Sequence, residues 1–262
     1  LVDRGIFPPY TEKQRAGLSV LDRQGHRLHR ARYPRRHYES FEEIPRLVVD
    51  TLLFVENRAL LNKNRPHRNP ALEPDRFLHA LAEVLVREVA GGEKPSGGST
   101  LATQVEKYRH SDGGRTIDYA DKFQQMMSAS IRSYLNGEET LDDQRRIVRT
   151  YLNSVPLSAV QGFGEVFGIR DGLHAWFGSD VDRVHRLLQR ASASRTRRSM
   201  PDLRDQARAY RQVLTLIVAQ RRPSYLLREG REDLAAMTDA YLQTLAGHGI
   251  ISEKFRDLAL EM

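Results

Sequence analysis

A chain of 262 residues with 29% charged and 40% hydrophobic side chains can enclose a real core, a balance that excludes a wholly disordered chain. It has no run of about eighteen apolar residues, and its longest apolar stretch, Leu47 to Val55, is broken by Asp50 and Thr51. Zero cysteines exclude disulfides, thiolate metal sites and Cys nucleophiles, while 41 Lys and Arg against 34 Asp and Glu give +7, a surface suited to nucleic acid, anionic lipid headgroups or a pyrophosphate, or simply a solvated Arg-rich face.

In chain order, Gly17 to Arg32 alternates weakly about Gln24-Gly25, which predicts a short β-hairpin. After Phe41 the pattern is mainly helical. Ile44 to Leu61 sets Leu47, Val48, Leu52, Val55 and Ala59 at helical spacing, with Glu56 near the end. Asn62 to Pro70 is a polar, Pro-bearing loop. Pro74 opens a helix that stops at Gly91-Gly92, and the loop GGEKPSGG leads into Ser99-Thr100 and a further helix. Helices are predicted over 117–136 and from a Thr140 cap to Asn153. GFGEVFGIRDGLHAWFG reads as turns between short pieces with Trp176 in the core, and RASASRTRRSMPD as a surface insertion or disordered loop. The C-terminal part returns to helix, with Ser252 capping the last one. The chain opens on Leu1 rather than Met, which predicts that a segment carrying a signal or membrane anchor has been removed.

The sharpest local feature is GGSTLATQVEK. A glycine-rich turn before a helix start exposes free backbone N–H groups at the positive end of the helix dipole, an arrangement that suits phosphate, with Lys107 two turns beyond Ser99. Ser99 as a plain helix cap is the competing reading. The pattern is not a Walker A loop, since no Lys-Ser/Thr pair follows the glycines. Glu56 ends an apolar helix, where partial burial would suit it to accept a proton, although a solvated helix-end Glu is the commoner case. The nine histidines form no metal-ligand spacing, and no Ser-x-x-Lys acyl-transfer motif occurs.

Taken in order, these pieces resemble glycosyltransferase family 51, the peptidoglycan transglycosylases found as monofunctional enzymes and in class A penicillin-binding proteins. IPRLVVDTLLFVENRALL is similar to the family's entry helix with Glu-Asp-x-x-Phe, placing Glu56 at the Glu, Asn57 at the Asp and Leu60 at the Phe. Gly97 to Lys107 is similar to Gly-Gly-Ser-Thr-Ile-Thr-Gln-Gln-x-x-Lys, keeping Ser99, Thr100, Gln104 and Lys107. Asp121 to Gln125 stands at Arg-Lys-x-x-Glu, keeping Lys122 but replacing the Arg by Asp121 and the Glu by Gln125. Tyr151-Leu152-Asn153 is intact, and VAQRRPSYLL resembles a later family stretch.

The resemblance implies a mainly α fold: a lysozyme-like helical glycosyltransferase domain over 41–262, a small mobile jaw at about 62–98, an insertion at about 180–206, and a linker with a short β element over 1–40. It implies polymerisation of lipid II-type lipid-pyrophosphate-linked disaccharide-peptides into a glycan strand with inversion. Glu56 would be the general base and Gln125 would stand at the second catalytic position. Ser99, Thr100, Gln104, Lys107, Arg115, Lys122 and Asn153 would bind substrate, mainly its pyrophosphate. No cofactor is implied, and a divalent cation such as Mg is not required. The partners implied are the lipid-linked substrate, the glycan strand, the membrane surface and other cell-wall synthesis proteins, at the periplasmic face of the bacterial inner membrane. Gln125 opens a second reading, a catalytically impaired relative that binds precursor, glycan or a cell-wall partner, because an amide cannot carry a carboxylate's charge. Nucleic acid is not expected as a partner: helix-turn-helix, RNA-recognition and zinc motifs are missing, leaving only charge.

Overall fold

A tight turn lies near the start of the described residues. In this computed structural model, which describes residues 18–31, 36–71, 100–110, 119–193 and 199–262, β1 (Leu18–Leu21) pairs antiparallel with β2 (Arg27–Ala31). The Asp22 carboxylate accepts the N–H groups of Gln24 at 2.9 Å and His26 at 2.7 Å, and Gly25 takes φ 84, so the predicted hairpin forms around an Asx-type turn. α1 (Arg46–Glu56) follows, shorter than the predicted 44–61, because the chain leaves the helix at Asn57 and turns through Leu61 at φ 59.

The described chain forms two compact units, Glu56 to Tyr151 and the remainder, and together they are mainly helical. In the first unit, α2 (Leu101–His110) follows Thr100 as the expected further helix, and α3 (Tyr119–Ser133) and the opening of α4 (Leu141–Ser154) lie within a few residues of their predicted ranges. Thr140 does not cap α4 with its side chain as expected. Its hydroxyl donates to the carbonyls of Arg68 at 2.6 Å and Pro66 at 3.0 Å, while Gln144 Oε1 accepts the N–H of Leu61 at 2.6 Å. The loop 62–70 is therefore tied to the start of α4 by polar groups that would otherwise be orphaned. Of the expected jaw, the helix from Pro74 and the loop GGEKPSGG lie outside the described residues, as does the chain before Leu18.

The second unit is built on α7 (Met200–Ala219), which packs against α5 (Ile169–Phe177), α6 (Val181–Ala193), α9 (Arg231–Gly247) and α10 (Glu253–Leu260), with the short α8 (Pro223–Leu226) between α7 and α9. Leu152, Leu157, Ile169, Leu173, Leu188, Leu214, Leu216, Ile217 and Leu242 are fully buried there. Thr51 of α1 meets the Tyr210 hydroxyl at 2.8 Å, and burial pushes that phenol well above its ordinary value. Ser252 caps α10 as predicted, accepting the N–H of Phe255 at 3.3 Å. Among the described residues no helix is long and apolar enough to cross a membrane.

One expectation is corrected. The stretch 162–178, read as turns between short pieces, carries β4 (Gly164–Phe167), which pairs with β3 (Pro156–Val160) just before it, and then α5. Trp176, on that helix, is partly buried and donates its indole N–H to Leu157 O at 2.8 Å. The stretch expected to be an insertion, at about 180–206, carries helix over most of its described residues. Val181, Val184 and Leu188 recur at helical spacing and are buried, so α6 runs to Ala193; Ser199 then caps α7, with residues 194–198 outside the described set.

Candidate active site

The apolar face of α1, with Val48, Val49 and Leu52 buried, fixes the helix and leaves Glu56 half-buried at its C-terminal end. A helix C-terminus carries negative partial charge, so a carboxylate there needs a donor from elsewhere. Gln104 of α2 supplies it: its Nε2 donates to Glu56 Oε2 at 3.2 Å. The first and second motifs of the sequence, 48 residues apart, thus meet within one unit.

Gln104 is held by a tightly capped helix start. Thr100 takes the cap position: its hydroxyl accepts the N–H of Thr103 at 3.3 Å, and Thr103 Oγ1 accepts the N–H of Thr100 at 2.8 Å while donating to Thr100 O at 2.9 Å. Thr100 is 1% exposed, so its hydroxyl is spent inside the cap. Lys107 lies three residues after Gln104 on the same helix face and is half-buried. Glu106 is buried on the far side, with Arg132 Nε of α3 within 3.2 Å of both its carboxylate oxygens.

Other predicted site residues fall as follows. Gln125 is 4% exposed on the stripe of α3 that also carries Ser128, Ala129 and Arg132. Lys122 lies in the first turn of α3 with its side chain outside the described residues; Ser99 and Arg115 lie wholly outside them. Asn57, beside Glu56, is 1% exposed, and its Oδ1 has no hydrogen-bond partner among the described residues. Asn153 belongs to the second unit and is buried: Tyr38 N–H donates to its Oδ1 and its Nδ2 donates to Tyr38 O, both at 2.9 Å. Its amide closes a strap, residues 36–47. The strap is also held by the ion pair of Arg36 with Asp171 at 3.5 Å, by Arg170 donating to His37 O at 2.7 Å and by Gln189 donating to Glu43 O at 2.8 Å. Gly168 is required beside it, since φ 80 suits glycine and a Cβ would come within 2.6 Å of Asn153 O.

Sequence reasoning missed Thr103 and the Glu106–Arg132 pair. A Thr-x-x-Thr at a helix start was a legible signal for the first; nothing local announces an ion pair between helices. The half-buried carboxylate, its amide donor and a lysine on the same helix face can accept a proton near an anion. Among the described residues no group of three His, Asp or Glu could hold a metal ion.

The sequence profile of the transglycosylase family matches residues 24–245. The chain belongs to the transglycosylase family. Penicillin-binding protein 1B of Haemophilus influenzae is 26% identical over 143 residues, which are 55% of this chain and 16% of that relative. This transglycosylase domain therefore spans only a small part of the length of the curated relative it matches. The mainly helical fold, with its small antiparallel hairpins, is the one the family resemblance leads one to expect.

Proposed function

We propose that this domain is a peptidoglycan glycosyltransferase that transfers a glycan from a lipid-linked pyrophosphate to the 4-hydroxyl of an incoming lipid II-type disaccharide-peptide, with inversion. The observation that carries the reading is the 3.2 Å bond from Gln104 to Glu56, because it orients the carboxylate that must take the hydroxyl proton. Family membership supports the reaction class. Lys107 extends from the same face of α2 and is assigned to the pyrophosphate, whose charge grows as it leaves; Lys122, Arg115, Ser99 and the N–H groups at the start of α2 share that task. Gln104 is assigned to holding Glu56 rather than to binding substrate, and Asn153 to bracing the strap. The partners assigned are the lipid-linked substrate, the glycan strand, the anionic membrane surface and other cell-wall synthesis proteins, at the periplasmic face of the inner membrane and without a cofactor.

One observation favours a second reading. The position of the family's second glutamate holds a buried amide, Gln125, so a relative that binds precursor or glycan without polymerising it is the alternative. Purified protein in detergent is incubated with labelled lipid-linked disaccharide-peptide and the products are run on a gel. A ladder of glycan strands supports the enzyme; binding with no ladder supports the alternative.

A further inference from the structure

We infer that the ion pair between buried Glu106 and half-buried Arg132 is a positioning device, which fixes the rotation of α2 so that Gln104 stays on Glu56 and Lys107 beside it. α2 has ten residues, too few to be stable alone, so packing must set its orientation. The apolar part of that packing is weakly directional. Ala102 and Val105 of α2 and Ala129 of α3 are small, and with Ser133, Ile147 and Thr150 they line a cleft that the described side chains do not fill. Beside this cleft the Glu106 side chain is 5% exposed and Arg132 is 16% exposed, with Arg132 Nε 3.2 Å from both carboxylate oxygens. A charge-assisted contact of that kind has a defined geometry where the aliphatic contacts have none.

Glu106 and Gln104 are two residues apart, roughly 200° around the helix, so holding one aims the other. The lever is sensitive. A rotation of about 20° moves an atom lying about 5–6 Å from the helix axis by about 2 Å, enough to break the bond to Glu56. Position 106 is one of the unspecified places between the Gln and the Lys of the family pattern, so the device belongs to this chain's own residues.

The test replaces both partners, Glu106→Met with Arg132→Met. Exchanging a buried pair for apolar residues of similar size usually leaves a protein folded, whereas removing one partner strands a charge. Two-dimensional 1H–15N NMR of the free protein follows the side-chain amide of Gln104, assigned by its loss in Gln104→Leu. In the Met pair the thermal midpoint should hold while the Gln104 amide signals move to the positions they take in Glu56→Leu. The exchanged pair, Glu106→Arg with Arg132→Glu, should bring them back. Gln104 signals at their wild-type positions in a folded Met pair overturn the inference, as does an exchanged pair that folds and leaves them displaced. The catalytic consequence rests on the glycosyltransferase reading: kcat/KM in the Met pair should fall about tenfold, with both Glu56 and Lys107 displaced from their roles. A wild-type protein that makes no ladder sinks that reading alone, since the NMR readout needs no substrate.

Discussion

The two units bury different chemistry. In Glu56 to Tyr151 the interior includes Thr100, Thr103, Glu106, Gln125, Ser128, Ser133, Thr140, Asp143 and Gln144, each nearly or fully inaccessible. From Leu152 onward the fully buried side chains are mostly aliphatic, gathered about α7, with Tyr210 the large exception. Aliphatic packing gives stability without direction, while a polar interior costs desolvation and repays it with defined geometry. The unit that carries Glu56, Gln104 and Lys107 is the one in which direction is needed.

The comparison is first tested where its effects are largest. Leu214→Ala opens a cavity in the aliphatic unit and should cost about 2–5 kcal/mol in urea unfolding, while substrate affinity in the surviving folded fraction stays unchanged. A loss under 1 kcal/mol would mean that α7 is not the centre of the core. Gln125→Glu, by contrast, asks the polar interior to take another charge at a 4% exposed site, with Arg132 on the same stripe already held by Glu106. It should lower the unfolding midpoint and give at most a small gain in glycan yield. A clear gain in both would show that the site accepts a carboxylate.

Lys107→Ala should weaken binding of the lipid-linked substrate by roughly tenfold at low salt and by less at high salt, because a half-buried cation facing an anion is only partly screened. Equal affinity at both salts would remove Lys107 from the pyrophosphate. The smallest expected effect lies on α6 of the aliphatic unit, where His185 stands beside Tyr38 of the strap. Burial, then the neighbouring Arg170, holds the His185 imidazole below its ordinary value against the smaller opposing pull of Glu43 and Asp182, with Arg186 reinforcing the shift. The folded protein thus prefers neutral His185, so its stability should decline as pH falls below about 6.5, where the unfolded chain takes up the proton first. His185→Gln should flatten that slope in thermal melts between pH 7 and 5.

Much of this was legible in the sequence, and the exceptions share a cause. The Gln24-Gly25 turn, α3, α4 and the Ser252 cap announce themselves through neighbouring residues, because turn and cap chemistry is local. The β3–β4 hairpin was hidden by Pro156, Gly162 and Gly164 and by Ser158 at φ 65, which break the strand pattern that tertiary packing then restores. α6 was hidden by its polar composition, since only Val181, Val184 and Leu188 mark its inner stripe. In the site, Glu56 and Gln104 could be named from motifs. That Asn153 answers Tyr38, and Glu106 answers Arg132, depends on contacts 115 and 26 residues apart, which no local pattern encodes.

The central claim is that Glu56 is the proton acceptor, and the direct measurement is glycan-strand formation by wild type and Glu56→Gln side by side, with equilibrium binding of the same labelled lipid-linked substrate. The substitution keeps the shape of the side chain and removes its basicity. The account predicts a ladder for wild type, about 10²–10⁴-fold less product for Glu56→Gln, and binding within a few-fold of wild type for both. Undiminished polymerisation by Glu56→Gln would contradict it.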